Sequence, residues 1–443
     1  MSEWTVTQRT PAGGRPPALS PLREHLRDTF WFAPTAAMAG VFLVWLLAQE
    51  IDSAVVEALR ADGDLDTLRE LMRWTSDANT VVNTVASAMM TFIGVVFSIS
   101  LVAVQMASGQ FTPRVVRLFV RSRITKATFA VFLATFVLSL LVLASYDSAP
   151  DPRVVTSVPL VQSALTLLMV ALSLLLFVLY VNTTLRMMRI SHVIARIATE
   201  SFRVAAAMPV PVPGAPAPDP GPATAWVPHE GGAGVLRDVH VARLVRVARK
   251  HGVVLRLVPR IGDFVVPGTP VLAVHGGPAP PRRALRYTVS VGVERTYHQD
   301  LGFGLRQLSD IALRALSPAV NDPTTAVQAL DRIVQFLAAL SRRPLDSAVH
   351  RDRRGAVRLV QPVPGWTELV DLGFTEVREC APASAQVSRR MLAGLDDLLL
   401  LAPPERREPL LRHRELLRQA VWRGAPTAAD RAFALRPDRQ GIG

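Results

Sequence analysis

The residues with the clearest chemical potential form a polar stripe inside a long apolar segment. No charged residue lies between Val81 and Met106, and a segment of this length crosses a bilayer as a tilted helix. Small and hydrogen-bonding side chains recur in and just before it at steps of three and four, which places them on one helix face. These residues are Asn79, Asn83, Ser87, Thr91, Gly94, Ser98 and Gln105. Because lipid offers them no hydrogen-bond partner, the stripe must face another helix or water.

If the stripe faces water, it predicts an ion pathway lined by neutral dipoles. The candidate pore-lining residues are Asn83, Ser87, Thr91, Gly94, Ser98 and Gln105. Directly after this segment, Arg114, Arg117 and Arg121 share one basic helix face, and a ring of such arginines at an inner mouth favours anions. Four spans enclose no wide pore alone, so this hypothesis requires a symmetric homo-oligomer.

The alternative hypothesis is a membrane-anchored sensor or scaffold without transport activity. The stripe is then a helix-packing seam, in which small residues allow close approach. The basic loop then only holds the chain beside anionic lipid. The sequence leaves both hypotheses open. The channel is preferred because the cytoplasmic part of the sequence contains no signalling motif that would give a sensor or scaffold a function.

Other residue groups give weaker indications of chemistry. His298 with Glu294 and Asp300 suggests a metal site, but a polar helix start explains the same residues. No H-x-x-x-H, G-x-S-x-G or P-loop pattern is present, and a single cysteine, Cys380, excludes an internal disulfide. We therefore expect no enzyme, no metal and no cofactor. Four charged residues are expected to pair with one another: Arg295, Asp300, Arg306 and Asp310.

Composition places the chain among membrane proteins. Of its 443 residues, 50% are hydrophobic, and the mean hydropathy is +0.28. The net charge of +13 is spread over many segments without an aromatic-interleaved groove, which argues against nucleic-acid binding. We expect the bilayer itself, and anionic lipids at its cytoplasmic face, to be the partners of these basic residues.

Four apolar segments are long enough to be membrane spans, and the basic residues that flank them lie mostly on one side. The predicted spans are 30–49, 81–106, 128–145 and 158–182. The N-terminal segment 1–28, the loop 107–127 and everything after residue 183 carry the positive charge. The positive-inside rule therefore predicts a multi-pass protein of the bacterial inner membrane with both termini in the cytoplasm.

The rest of the chain predicts an α+β region. A transmembrane domain over 29–207 is followed by a Pro-rich linker over 208–224, a cytoplasmic α+β domain over 225–425 and a polar tail over 426–443. Strands are expected near 235–239, 253–258, 356–360 and 367–370, and Asp322 before Pro323 is a helix N-cap signal.

Part of this region resembles a biotinyl/lipoyl-like β element. The similarity rests on a Gly-Asp turn and a later Gly-x-Pro within the stretch Gly262–Val274. No lysine follows His251, so the modifiable lysine of those carriers is missing and no carrier function is expected.

Three stretches together resemble one known family. They are SGQFTPRVVRLFVRSR (108–123), PRIGDFVVPGTP (259–270) and QDLGFGLRQLSDIALRALSPAVNDPTTAV (299–327). In order and membrane context they are similar to the bacterial predicted-membrane-protein family called domain of unknown function 2254, over roughly residues 25–400. The resemblance implies a bacterial inner-membrane protein and brings no established activity.

Overall fold

The chain forms two units that meet in the sequence at Arg189 and Ile190. The computed structural model describes residues 31–110, 122–146, 158–209, 220–345 and 347–440. The predicted N-terminal segment, most of the Pro-rich linker and most of the 146–157 loop lie outside the described residues. We call the part up to Arg189 the membrane unit and the part from Ile190 the helix–sheet unit.

The membrane unit consists of four helices that are long and apolar enough to span a bilayer. They are α1 (Phe32–Ala61), α2 (Leu65–Gln110), α3 (Arg123–Ala144) and α4 (Leu160–Met188). Half of the residues in the most apolar part of α3 are buried, whereas less than a fifth are buried in the corresponding part of each of the other three helices. The third helix is therefore the centre of the bundle, and it packs against α1, α2 and α4.

Two of these helices extend far beyond the predicted spans. The first span was expected to end at residue 49, but α1 continues to Ala61 through an acidic stretch. The second span was expected to begin at residue 81, but α2 begins at Leu65 and runs for 46 residues without a break. The boundary was misplaced because charged residues end an apolar run without ending a helix, since Asp, Glu and Arg are compatible with helical backbone.

The helix–sheet unit contains two small sheets. Its strands are β1 (Ala225–Pro228), β2 (Gly234–Val239), β3 (Val254–Leu257), β4 (Phe264–Val265), β5 (Pro270–His275), β6 (Val289–Gly292), β7 (Ser347–Arg351) and β8 (Val357–Pro362). One sheet has the order β1-β5-β3-β8-β7 and the other β4-β2-β6. All pairs are antiparallel except β3 with β8, where Leu255 lies opposite Leu359. Alternating side chains from both sheets form one apolar core with helix α6.

The helices of this unit form a bundle of their own. In chain order they are α5 (Ile190–Ala207), α6 (Val241–Lys250), α7 (Arg282–Leu285), α8 (Phe303–Leu316), α9 (Pro323–Leu340), α10 (Trp366–Cys380), α11 (Ala385–Leu401), α12 (Glu408–Gly424) and α13 (Ala428–Ala434). Helix α9 is central because Leu330, Ile333 and Leu337 repeat at helical spacing and are fully buried. A Cβ on Gly304 of α8 would lie 1.7 Å from Ser201 Oγ of α5, so these two helices touch backbone to side chain.

Several expectations for this unit can be compared directly with the elements. The Asp322 side chain accepts a hydrogen bond from Thr325 N at 3.0 Å, which confirms the helix start. The strand expected at 367–370 is wrong, because these residues lie in α10, and β8 pairs with β7 instead. Part of the expected polar tail forms α13, after which Asp438 accepts a hydrogen bond from Arg389 Nη2 at 2.8 Å.

The predicted domain limits also differ from the units. Helix α5 falls within the transmembrane domain expected over 29–207, but it packs with α8 and α9 in the helix–sheet unit. The biotinyl/lipoyl-like element is not confirmed, since the Gly262–Val274 stretch contributes one strand to each of the two sheets.

Candidate functional site

The polar stripe of α2 faces away from the other helices of the membrane unit. All six candidate pore-lining side chains are exposed: Asn83, Ser87, Thr91, Gly94, Ser98 and Gln105. A Cβ built on Gly94 would meet no atom within 4 Å. The helix instead packs through its opposite face, where Val82, Met89 and Val96 are buried. The stripe is therefore not a seam between helices of the same membrane unit.

The exposed face of α2 is mixed rather than uniformly polar. Met90, Phe97 and Leu101 lie between stripe residues and are 63%, 56% and 49% exposed. Ser87 Oγ donates a hydrogen bond to Asn83 O at 3.1 Å, so its hydroxyl is satisfied by its own helix. The side-chain amides of Asn83 and Gln105 each offer two donors and an acceptor. One backbone carbonyl of the same helix therefore cannot satisfy all of their hydrogen-bonding groups.

The candidate basic face cannot be placed. Arg114, Arg117 and Arg121 lie outside the described residues, which resume at Ser122. Ser122 accepts a hydrogen bond from Thr125 N at 3.3 Å and caps α3. The stripe and α3 are thus positioned, while the arginines predicted for the inner mouth stay a sequence-based expectation.

Asp52 is a buried carboxylate of the membrane unit that sequence reasoning missed. It is 1% exposed, and its two oxygens accept hydrogen bonds from Val161 N at 2.8 Å and Gln162 N at 3.3 Å. Helix α4 has Pro159 as its N-cap residue, which offers no side-chain acceptor, so a carboxylate from α1 performs the capping. The signal in the sequence is the spacing of Ala48, Asp52 and Val56, which share one face of a continuing helix.

In the helix–sheet unit, the candidate metal ligands do not converge. Asp300 pairs with Arg295, at 2.7 and 2.9 Å, and caps the start of α8 by accepting hydrogen bonds from the Gly302 and Phe303 amides. His298 lies 3.6 Å from Asp238 instead. Burial lowers the pKa of His298, and the Asp238 charge opposes that shift. Within the described ranges, no three His, Cys, Asp or Glu side chains are grouped to bind a metal ion.

The Arg295–Asp300 pair also joins two of the stretches singled out in the sequence. Gly262, from the Gly-Asp turn, has φ +100°, and a Cβ there would lie 2.5 Å from Asp300 Oδ2. The glycine is required by both the backbone conformation and the lack of space. Arg306 pairs with Asp310 at 2.7 Å and also with Glu376 at 2.6 Å, so the four charged residues expected to pair do so within the bundle.

The arrangement offers neutral dipoles along a membrane helix and internally paired charges in the helix–sheet unit. A family model described as "Predicted membrane protein (DUF2254)" matches residues 27–397. Similar proteins include uncharacterized protein Rv1290c of Mycobacterium tuberculosis and uncharacterized protein Mb1321c of Mycobacterium bovis. Each is 29% identical over 433 residues, which cover 93% of this chain and 80% of the relative. No solved structure is a significant match. With four candidate spans and this match over most of its length, the chain belongs to the family of predicted membrane proteins DUF2254.

Proposed function

We propose that this protein is an oligomeric, channel-like protein of the bacterial inner membrane, in which copies of α2 surround an ion pathway. The observation that carries the proposal is the outward orientation of the stripe across the whole apolar part of α2. The helix–sheet unit then has a regulatory rather than enzymatic role in the cytoplasm, with both chain termini on that side. No cofactor is needed for this function.

The physical argument starts from the cost of polar groups in hydrocarbon. An amide side chain that faces lipid loses hydrogen bonds that no acyl chain replaces. Asn83 and Gln105 are exposed at opposite ends of the apolar segment, with Thr91 and Ser98 between them. A second copy or a water column satisfies these groups, and a ring of copies with the stripe at its axis provides both.

The alternative is that the exposed stripe is a seam between copies, in an assembly that anchors the helix–sheet unit without conducting ions. Gly94 favours it, because a glycine on an exposed helix face allows two backbones to approach closely. Both hypotheses require an oligomer, so the oligomeric state alone does not separate them. They differ in whether water has access to the stripe.

Cysteine accessibility in the full-length protein tests the pathway. In a Cys380→Ser background, cysteines introduced on the stripe should react with small water-soluble thiol reagents if they face water. The test positions are Asn83, Ser87, Thr91 and Ser98, and the controls are Val85, Val96 and Ile99. Val96 is 0% exposed, so its cysteine variant should stay unreactive in either assembly.

Conductance measurements then separate a closed pore from a packed seam. The reconstituted protein should conduct, and reversal of charge by Arg117→Glu and Arg121→Glu should shift the selectivity from anions towards cations, less so at high salt. Stripe cysteines that are all unreactive in a natively oligomeric preparation, together with no conductance in bilayers, would contradict the channel and leave the seam.

A further inference from the structure

A cavity of about 210 Å³ lies in the membrane unit between α2, α3 and α4. Its wall is built largely from apolar side chains, and Phe97 and Leu101 at its edge are half exposed, so the cavity opens to the outside of the bundle. The lining residues used below are Ser100, Ala103, Thr125, Phe129, Tyr180 and Met187. Because these come from three helices, the cavity is a feature of the bundle and not of one helix.

The hydroxyl groups of Tyr180 and Ser100 in the cavity wall are already engaged. Tyr180 OH lies 2.5 Å from Ser100 Oγ and 3.1 Å from Val96 O, which it donates to. The remaining wall favours an apolar occupant over water, since ordered water needs two to four polar partners. For comparison, an apolar protein cavity of roughly 150 Å³ holds a benzene molecule. The space here suits part of an acyl chain.

The cavity lies at the end of the bundle where exposed arginines gather. Thr125, in the first turn of α3, and Met187, in the last turn of α4, both line it. Arg123 lies two residues before Thr125, and Arg186 directly precedes Met187; both arginine side chains are exposed. Neither arginine lines the cavity itself, but guanidinium groups within two residues of its lining, at the same helix ends, match an anionic headgroup above a hydrocarbon chain.

We propose that this cavity binds one acyl chain of an anionic phospholipid, whose phosphate group contacts Arg123 and Arg186. The charge at the cavity's end selects the headgroup, and the apolar wall holds the chain. The wall of this site differs from the proposed ion pathway, because Ser100 and Ala103 lie on the side of α2 next to α3 and α4. Only Phe97 and Leu101, at its edge, border the stripe.

Lipid retention by the full-length protein tests the site. The protein is incorporated in nanodiscs with equal amounts of phosphatidylglycerol and phosphatidylcholine, released into mild detergent, and its retained lipid is identified by native mass spectrometry. We expect retained phosphatidylglycerol in preference to phosphatidylcholine. Arg123→Gln and Arg186→Gln should each reduce that preference by a factor of about five. Arg73→Gln, an exposed arginine near the start of α2, is the matched control and should retain it.

A cavity-filling change tests the apolar half of the site. Ala103→Leu should lower the retained amount of both lipids, whereas Ala88→Leu, elsewhere on α2, should not. If Ala103→Leu fails to give a monodisperse protein, Thr125→Leu fills the cavity from the opposite wall. Equal retention of the two lipids by the unmodified protein, or unchanged retention in a folded cavity-filling variant, overturns the proposal. So does retention that appears only when an oligomer is dissociated, since a second copy then occupies the cavity.

Discussion

The two units bury their polar groups in different ways. In the membrane unit, hydroxyl groups of the central helix donate to carbonyls one turn earlier, as Thr128, Thr135 and Ser139 do at 2.8 to 2.9 Å. In the helix–sheet unit, buried carboxylates pair with arginines, as Asp300 does with Arg295 at 2.7 Å. These hydroxyl groups of the membrane unit are neutral and satisfied by their own backbone, whereas the helix–sheet unit also buries charges that require a specific partner.

The difference follows from what surrounds each unit. A hydroxyl that bonds its own helix is satisfied before the helices assemble, which suits a bundle that packs in lipid. A charge pair is costly to bury, and breaking a buried pair is strongly destabilising. In a unit surrounded by water, such a pair therefore favours one arrangement of the elements over others that would expose the charges. Asp52 is the exception in the membrane unit, and it is stabilised by the amides of α4 rather than by a cation.

The largest effect should come from breaking a buried charge pair. Arg295→Ala leaves Asp300, whose side chain is 2% exposed, without its counter-charge. The helix–sheet unit should lose about 3–5 kcal/mol of stability, measured by denaturant unfolding of the purified chain. Arg439→Ala removes an ion pair whose arginine is 76% exposed and should cost about 1 kcal/mol at most. Equal losses in the two variants would refute the contrast between buried and exposed pairs.

Substitutions of Asp52 test the role of the one carboxylate described above as buried in the membrane unit. Asp52→Ala leaves the Val161 and Gln162 amides without their acceptor, and should destabilise the membrane unit by about 1–3 kcal/mol in detergent. Asp52→Asn keeps one acceptor oxygen and should cost less. Glu57→Ala changes an exposed carboxylate of the same helix and serves as the control. If Glu57→Ala is as costly as Asp52→Ala, the capping contact has no special role.

A smaller effect is expected at the start of α9. Asp322→Ala removes the acceptor for Thr325 N and should destabilise the helix–sheet unit by about 1 kcal/mol. Gln335→Ala, on the exposed face of the same helix, should change the unfolding free energy much less. A melting temperature that Asp322→Ala leaves unchanged would mean that backbone propensity alone starts the helix.

The last effect concerns a buried histidine and depends on pH. His413 is 2% exposed, its Nε2 lies 2.8 Å from Asp371 Oδ1, and burial lowers its pKa against the opposing effect of that carboxylate. The unfolded chain therefore binds a proton more readily, so stability is complete above about pH 6.5 and falls as the pH drops below it. The loss is about 1.4 kcal/mol for each unit of pKa depression. His413→Gln should flatten this decline in unfolding free energy between pH 7 and 5; an unchanged slope would assign it to other groups.

Much of the fold is predictable because its signals are local. Hydropathy predicts four spans, and the carboxylate of Asp322 before Pro323 predicts a helix start. The errors arise where local signals compete with tertiary contacts. The stretch 367–370 contains the β-branched residues Thr367 and Val370, but Leu369 and Val370 are fully buried in a helix that packs on α8. The parallel pairing of β3 with β8 brings Leu255 opposite Leu359, two residues far apart in the chain, and no short stretch specifies it.

The candidate site also has parts that local sequence signals predict and parts that depend on tertiary contacts. Helical periodicity places Asn83 to Gln105 on one face, and these residues do share an exposed face of α2. The role of Asp52 was not predictable from charge pattern, because the amides that donate to it lie more than a hundred residues later in the chain. A charged residue near a predicted span end was assigned to water by default, and the packing of α1 against α4 reverses that assignment.

The unbroken course of α2 has a consequence for how the two faces of a membrane communicate through this protein. At 1.5 Å per residue, its 46 residues extend for about 69 Å, more than twice the roughly 30 Å of a bilayer's hydrocarbon core. A helix of this length is a stiff rod that reaches well into the aqueous phase. Because the helix is continuous from Leu65 to Gln110, a displacement of a projecting end would be coupled to the membrane-embedded part through hydrogen-bonded backbone. The stripe therefore lies on a continuous helix that extends beyond the hydrocarbon core of the bilayer.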